Sequence, residues 1–168
     1  CIATNHNDIL ARFLSTGRYE INPVIPSCSP SMDIQVASNF ERLLFDLCDR
    51  DSSKVLKMME DLNNNGNFKV EPSLLKKIKE KFVAGRVSEK ETLFTIRNEW
   101  IKNKHLVDPH TAVGMYAGRQ QLKKNNKNPI IYLSTAHPAK FPDTVEKATN
   151  QKPTLPKRLI QIMEDQEY

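Results

Sequence analysis

Residues 129–149 read PIIYLSTAHPAKFPDTVEKAT, and the fold turns on how this stretch is read. Its first part, Ile130–Thr135, is a short apolar run rich in β-branched and aromatic residues, which predicts a buried strand. Its second part, AHPAKFPDTVEKAT, opens a helix. Strand followed at once by helix is the unit from which parallel sheets are built.

Working outward, Asp108-Pro109 predicts another helix start. Asp serves as the cap and Pro as the first turn. HTAVGMYAGRQQL carries that helix on, and Ala112, Gly114 and Ala117 allow close packing. KKNNKN, residues 123–128, predicts a solvated loop, and Pro156–Glu164 a last helix. At the other end, Cys1–Thr4 reads as the apolar end of a strand and Asn5–Asp8 as the turn after it. Asn7–Ser15 then reads as a short helix that Gly17 stops. Asn22–Cys28 is extended, and Pro23 and Pro26 suit an edge or irregular strand. From Ser29, Val36, Phe40, Leu43, Leu44 and Leu47 fall on one stripe, predicting a helix of about five turns to residue 47.

Between Ser52 and Lys104 the pattern is helical. Val55, Met59 and Leu62 share one face, and Leu74, Ile78 and Phe82 another. Ser88 with Glu91 makes a capping box. Asn67–Val70 alone suggests a strand. The expected fold class is therefore α/β: a partial doubly wound, mostly parallel sheet with a helical insertion. Residues 1–49 and 105–168 belong to the α/β domain, and 50–104 are the insertion or appendage. Two or three strands make a poor sheet, so further strands are expected upstream. Cys1 opening inside a strand points the same way.

The chain has 168 residues, 39% of them apolar and 27% charged, as in soluble globular domains. No run approaches a membrane span, and no basic region precedes a long apolar one at the start. Cys1, Cys28 and Cys48 are odd in number and far apart. A disulfide framework or zinc site is therefore not expected, and a reducing cytoplasm is. The net charge of +5 resides in residues 50–104, with 13 basic and 8 acidic side chains. Such a segment could meet nucleic acid. No aromatic residues alternate with the charges, and a solvated polar face is the plainer reading.

Ligands of open α/β sheets bind at the carboxyl ends of strands. Ser134 and Thr135 stand at that end of the predicted strand, as ligand-facing hydroxyls or as caps of the next helix. His110 and His137 lie at helix starts, suited to hydrogen bonding or base chemistry, or to structural contacts. No histidine pair has metal-ligand spacing. Asn39 and Arg42 share one helical face, and an amide beside a guanidinium suits a phosphate. A salt bridge from Arg42 to Glu41 or Asp46 is the alternative. No glycine-rich phosphate loop is present.

Four strings now carry further weight. They are ATNxNDILxRFLxTGxY at 3–19, SPSMDIQVASNFERLLFDL at 29–47, LVDPHTAVG at 106–114 and STAHPAKFPDTVEKAT at 134–149. In this order they resemble the C-terminal part of the threonine synthases, closest to the bacterial type. The resemblance implies a fold type II enzyme that uses pyridoxal 5'-phosphate. It would convert O-phospho-L-homoserine and water to L-threonine and phosphate. Thr135 matches the hydroxyl that bonds the cofactor's pyridine nitrogen. Asn39 and Arg42 fall in the NFER motif and are expected to bind the substrate phosphate. His137 and Lys140 match family positions with no chemistry assigned.

The resemblance also implies that the Schiff-base lysine and the cofactor's phosphate loop lie upstream. No catalytic residue is therefore expected in this chain, which should be inactive without the N-terminal half of the enzyme. A non-catalytic binding or regulatory fragment, or half of a split enzyme, is the alternative. Neither a metal, a nucleic acid nor a membrane is expected as a partner.

Overall fold

A computed structural model describes residues 1–124 and 129–163. The first core is built from aromatic side chains. Helix α1 (Ile9–Thr16) buries Ile9, Phe13 and Leu14. Gly17 ends it at φ 75°, and its N–H donates to the Phe13 carbonyl. That left-handed turn suits glycine, which has no Cβ to clash. The chain then enters strand β2 (Arg18–Glu20), which pairs antiparallel with β3 (Asn67–Lys69). Tyr19 faces Phe68 across this pair, with stacked rings 5.0 Å apart. Phe13 packs edge-on against both Tyr19 and Phe40. Helices α2 (Phe40–Leu47), α3 (Ser52–Asn65) and α4 (Pro72–Lys81) add Leu44, Leu62 and Ile78. Each such side chain, fully buried, contributes about 1.5–3 kcal/mol.

Strand β1 (Ile2–Thr4) pairs in parallel with β4 (Ala84–Arg86). Parallel strands need a long crossover, and everything from α1 to α4 lies between these two. The chain is thus α/β, with a parallel pair at its centre. Helix α5 (Glu89–Asn103) starts at Ser88, where the expected capping box with Glu91 is formed. It packs on α6 (Pro109–Lys124) and α7 (Pro142–Thr149). Ile96, Val107 and Ala112 fill that seam, while Val87, Val113 and Ala117 join α6 to the parallel pair. Tyr116 donates to Glu91 at 2.6 Å, and Arg119 pairs with Glu99, tying α6 to α5.

Five local expectations are corrected. The helix expected from Ser29 to Leu47 is a 3₁₀ turn at Pro30–Met32 and then α2, only eight residues long. Between them the polar groups bond elsewhere. The Ala37 N–H donates to the Tyr19 hydroxyl at 2.8 Å, and Gln35 accepts from Arg12 and from the Asn22 N–H. Val36, placed on the buried stripe, is exposed.

The extended run Asn22–Cys28 joins no strand among the described residues. Side chains satisfy its backbone instead. Asn7 accepts from the Ile25 N–H and donates to the Ile25 carbonyl, both at 2.8 Å. Asp33 accepts from the Ser27 N–H at 2.8 Å.

Residues 130–135 likewise pair with no strand among the described residues. Ile130 and Tyr132 lie against α6, where a Cβ on Gly118 would stand 2.5 Å from the Tyr132 ring. Ile131 and Leu133 are 87% and 81% exposed. The alternation is that of a strand with one face covered. Finally, the stretch from Ser52 to Lys104 is not helical apart from β3, because it also contains β4. Near the end, the helix expected over Pro156–Glu164 is instead 3₁₀ turns at Lys157–Met163, with Glu164 outside the described residues. Residues 125–128 of the expected loop lie outside the described residues.

Candidate functional site

Polar residues converge where residues 130–136 pass the start of α6. Asp108 precedes that helix, and its Oδ1 accepts from the His110 and Thr111 backbone N–H groups. This is the expected cap. The carboxylate does more than cap, however. Its Oδ2 takes the Thr111 hydroxyl proton in a short hydrogen bond, and its Oδ1 lies 2.9 Å from His110 Nδ1.

The His110 tautomer follows from its second partner. Nε2 accepts the Ser31 N–H at 3.1 Å, so the ring proton sits on Nδ1 and is donated to Asp108. Phe141 covers the ring, 4.6 Å between centroids. Asp108 is wholly buried. Burial would raise the pKa of its carboxyl. The bonds from His110 and Thr111 outweigh that and hold it below the usual carboxylate range.

Thr111 then reaches Thr135. The Thr135 N–H donates to Thr111 Oγ1 at 3.0 Å, and the two hydroxyl oxygens are 3.2 Å apart. Thr135 itself is exposed and lines a cavity of about 560 Å³ together with Ser31, His110, Tyr132 and Lys140. A second cavity, of about 600 Å³, lies against Trp100, Asp108, Thr111, Ser134 and His137. Tyr132 and Ala136 line both. Both fall within the range of small-molecule sites.

Other candidates lie apart. Asn39 holds the N-cap position of α2 without a capping bond. Arg42 is exposed beside Phe45, Asp46 and Arg50 in a different cavity, of about 720 Å³. Asp46, considered as its ion-pair partner, pairs instead with Arg50 at 3.1 Å. Arg42 has no ion pair among the described residues. Thr135 and Arg42 line different cavities. His137 accepts the Ala139 N–H and so caps a 3₁₀ turn, which is a structural contact. Among the described residues no cluster has the makings of a metal site, and no helix is long and apolar enough to cross a membrane.

Sequence reasoning took Asp108 as a cap only and gave Thr111 no part. A signal was present: a hydroxyl three positions after a capping Asp comes within its reach.

A parallel pair, helices packed along it and a hydroxyl lining a cavity make this part of an α/β domain with a candidate ligand site. Residues 111–168 match the family model described as threonine synthase, C-terminal. The threonine synthase of Pseudomonas aeruginosa is 42% identical over 99% of this chain. A PLP-bound threonine synthase from Brucella melitensis superposes on 99% of the chain with a TM-score of 0.92 at 44% identity. The yeast threonine synthase structure gives 0.88 at 36% identity. The chain spans about a third of these proteins, 35% of the P. aeruginosa enzyme. It belongs to the threonine synthase family.

Proposed function

We propose that this chain supplies the C-terminal portion of a fold type II, pyridoxal-phosphate-dependent threonine synthase. Acting with an N-terminal portion, it would convert O-phospho-L-homoserine and water to L-threonine and phosphate. The reaction belongs to threonine biosynthesis in the cytoplasm. Residues 1–49 and 105–168 contribute to the α/β domain, and 50–104, expected as an insertion, contribute as well, since β4 pairs with β1. The cofactor's lysine and phosphate loop lie in the N-terminal portion.

The observation that carries this reading is the Thr135 hydroxyl. It stands at the mouth of a cavity of suitable size, on a backbone pinned by Thr111. A pyridine ring nitrogen can be met at its edge by one hydrogen-bonding group, and a hydroxyl can supply it. When bound, pyridoxal phosphate would store the electron pair released at the reacting carbons. Thr135 would hold the ring edge without carrying a charge of its own. Asn39 and Arg42 would bind the substrate phosphate. Arg42 supports that role by being charged and free of an ion pair among the described residues.

The test joins this chain to the N-terminal two thirds of the P. aeruginosa enzyme. Phosphate and threonine formed from O-phospho-L-homoserine are then measured, with the chain alone as control. Equal amounts of both products from the fusion, and none from the chain alone, are expected. A folded, cofactor-loaded fusion that releases no phosphate would overturn the reading.

A further inference from the structure

We propose that His110 is a positioning residue, whose bond to the Ser31 N–H holds the 29–33 turn in place as one wall of the Thr135 cavity. This rests on the reading of that cavity as the cofactor's, given above.

A 3₁₀ turn closes each bond three residues back, so its first N–H groups have no partner inside it. At Pro30–Met32 the Met32 N–H donates to the Ser29 carbonyl at 2.9 Å, and the Asp33 N–H to the Pro30 carbonyl at 3.0 Å. Pro30 has no N–H to place. Ser31 has one, and no backbone acceptor among the described residues takes it. His110 Nε2 takes it instead at 3.1 Å, from 79 positions along the chain.

The ring that accepts this bond is itself fixed. Asp108, wholly buried, receives the Nδ1–H at 2.9 Å. Phe141 packs on the ring, 4.6 Å between centroids. A neutral imidazole has one bare nitrogen, and Ser31 occupies it. His110 therefore acts here as a hydrogen-bonding group and not as a base. It joins three stretches that are distant in sequence: the 29–33 turn, the start of α6 and the turn that ends at Phe141. Ser31, His110 and Phe141 line the cavity together with Thr135.

The turn has other anchors, and they decide what kind of effect to expect. Asn5 donates to Ser29 Oγ at 3.0 Å and to Asp33 Oδ1 at 2.7 Å, which holds both ends. Met32 packs against Val87, Val113 and Ala117. Ser31 itself is held by His110 alone among the described residues. Because Ser31 is exposed, water can take its N–H when His110 does not. Losing the bond therefore leaves the protein folded and frees one wall of the cavity. A wall that must be ordered at each binding event weakens binding.

Two substitutions separate the two bonds of the ring. His110→Asn brings an amide donor to Asp108 and leaves no acceptor near Ser31. His110→Gln, one methylene longer, brings an amide oxygen to where Nε2 stood. Both are made in the fused full-length enzyme described above. The Kd of pyridoxal phosphate is read by absorbance titration of the cofactor-free fusion. Hydrogen exchange of the Ser31 amide is followed in the same cofactor-free protein, and kcat and KM are measured at saturating cofactor.

His110→Asn should raise the Kd about threefold to tenfold, the ordering cost of the freed turn. Its Ser31 amide should exchange faster. The loss should appear in Kd more than in kcat at saturating cofactor. His110→Gln should restore both the Kd and the protection of Ser31.

In every variant that folds, Kd must follow the protection of Ser31. A variant that loses protection and keeps the parent Kd overturns the proposal. So does one that keeps protection and loses affinity. Unfolding of both variants would make His110 a residue of the fold rather than of the cavity wall, and would overturn it too. If the parent fusion binds no pyridoxal phosphate, the reading of the cavity fails and this proposal with it. If the parent binds and the His110 variants break the correlation, this proposal fails alone.

Discussion

Two carboxylates in this molecule collect hydrogen bonds in much the same way and to opposite ends. Asp33 accepts from Asn5, Asn7, the Ser27 hydroxyl and the Ser27 N–H. Asn5 also donates to Ser29, and Gln35 donates to Asn7. Apart from one bond to Gln35 from Arg12, the bonds of that network return to another member or to the backbone of residues 7 and 22–35. Asp108 accepts from His110, Thr111 and their backbones, but its network leaves the interior. It ends on Thr135, an exposed hydroxyl at a cavity. A closed polar network fixes a loop; an open one presents a group. Asp108 is wholly buried and Asp33 half-buried, yet both are fully bonded, so a well-bonded carboxylate does not by itself mark a site. The free end does.

The largest effect expected from breaking this contrast is on the closed side. Asn7→Ala removes the partner of the Ile25 N–H and carbonyl and one donor to Asp33. Several part-buried groups lose bonds together, and each unsatisfied one costs about 1–3 kcal/mol. Denaturant unfolding of the fused enzyme should show a loss on the order of 3 kcal/mol. Turnover per folded molecule should hardly change. A large fall in turnover at unchanged stability would erase the distinction between the two networks.

The open side should respond in the reverse sense. Thr135→Val keeps the volume and removes the hydroxyl. Stability should change little, because Thr135 is exposed. Turnover should fall about tenfold to a hundredfold, and Thr135→Ser should recover much of it. Activity equal to the parent in Thr135→Val would reduce this hydroxyl to a structural contact.

Arg42 and Arg50 sharpen the comparison within one cavity. Arg50 is held by Asp46, whereas Arg42 has no ion pair among the described residues. Arg42→Ala should raise KM for O-phospho-L-homoserine about tenfold, as expected for a lost bond to a charged group. Arg50→Ala should leave KM as it is and cost less than about 0.5 kcal/mol, since the pair is solvent-exposed. A KM that rises for Arg50→Ala alone would reassign the phosphate contact.

Acid should reach the open network gradually. Asp108 has its pKa lowered by folding, and so has Glu91, through Tyr116 and Ser88. A carboxyl whose folded pKa lies below its unfolded one gives its full stability above the unfolded value, about pH 4. That contribution is lost as pH falls further, because the unfolded chain takes up protons first. Tm should therefore be flat above about pH 5 and decline below about pH 4. The decline should be shallower in Asp108→Asn. An identical slope in that variant would mean that Asp108 is not ionised in the fold.

Much of this was legible in the sequence, because it rests on local rules. Gly17 ends α1 because a left-handed residue there suits glycine. Ser88 and Glu91 cap α5 because their spacing closes two bonds on one turn. Asp108-Pro109 starts α6 for the same kind of reason. The α/β class followed from strand and helix signals in turn. The family followed from four strings whose residues keep both spacing and order.

Tertiary structure decided what depends on partners distant in sequence. The stripe from Val36 to Leu47 has a helical period, yet Tyr19 claims the Ala37 N–H and the helix begins only at Phe40. Asn22–Cys28 has an extended pattern, yet Asn7 and Asp33 take the bonds a neighbouring strand would have made. Ala84–Arg86 is poor in strand formers and became β4 because β1 lies beside it. Thr135 could be named from its position and its family, but not the side chain that takes its backbone N–H, which is Thr111. That bond joins residues 24 positions apart and is held in place by Asp108 at the start of α6, and sequence spacing carries no record of which distant side chains will meet.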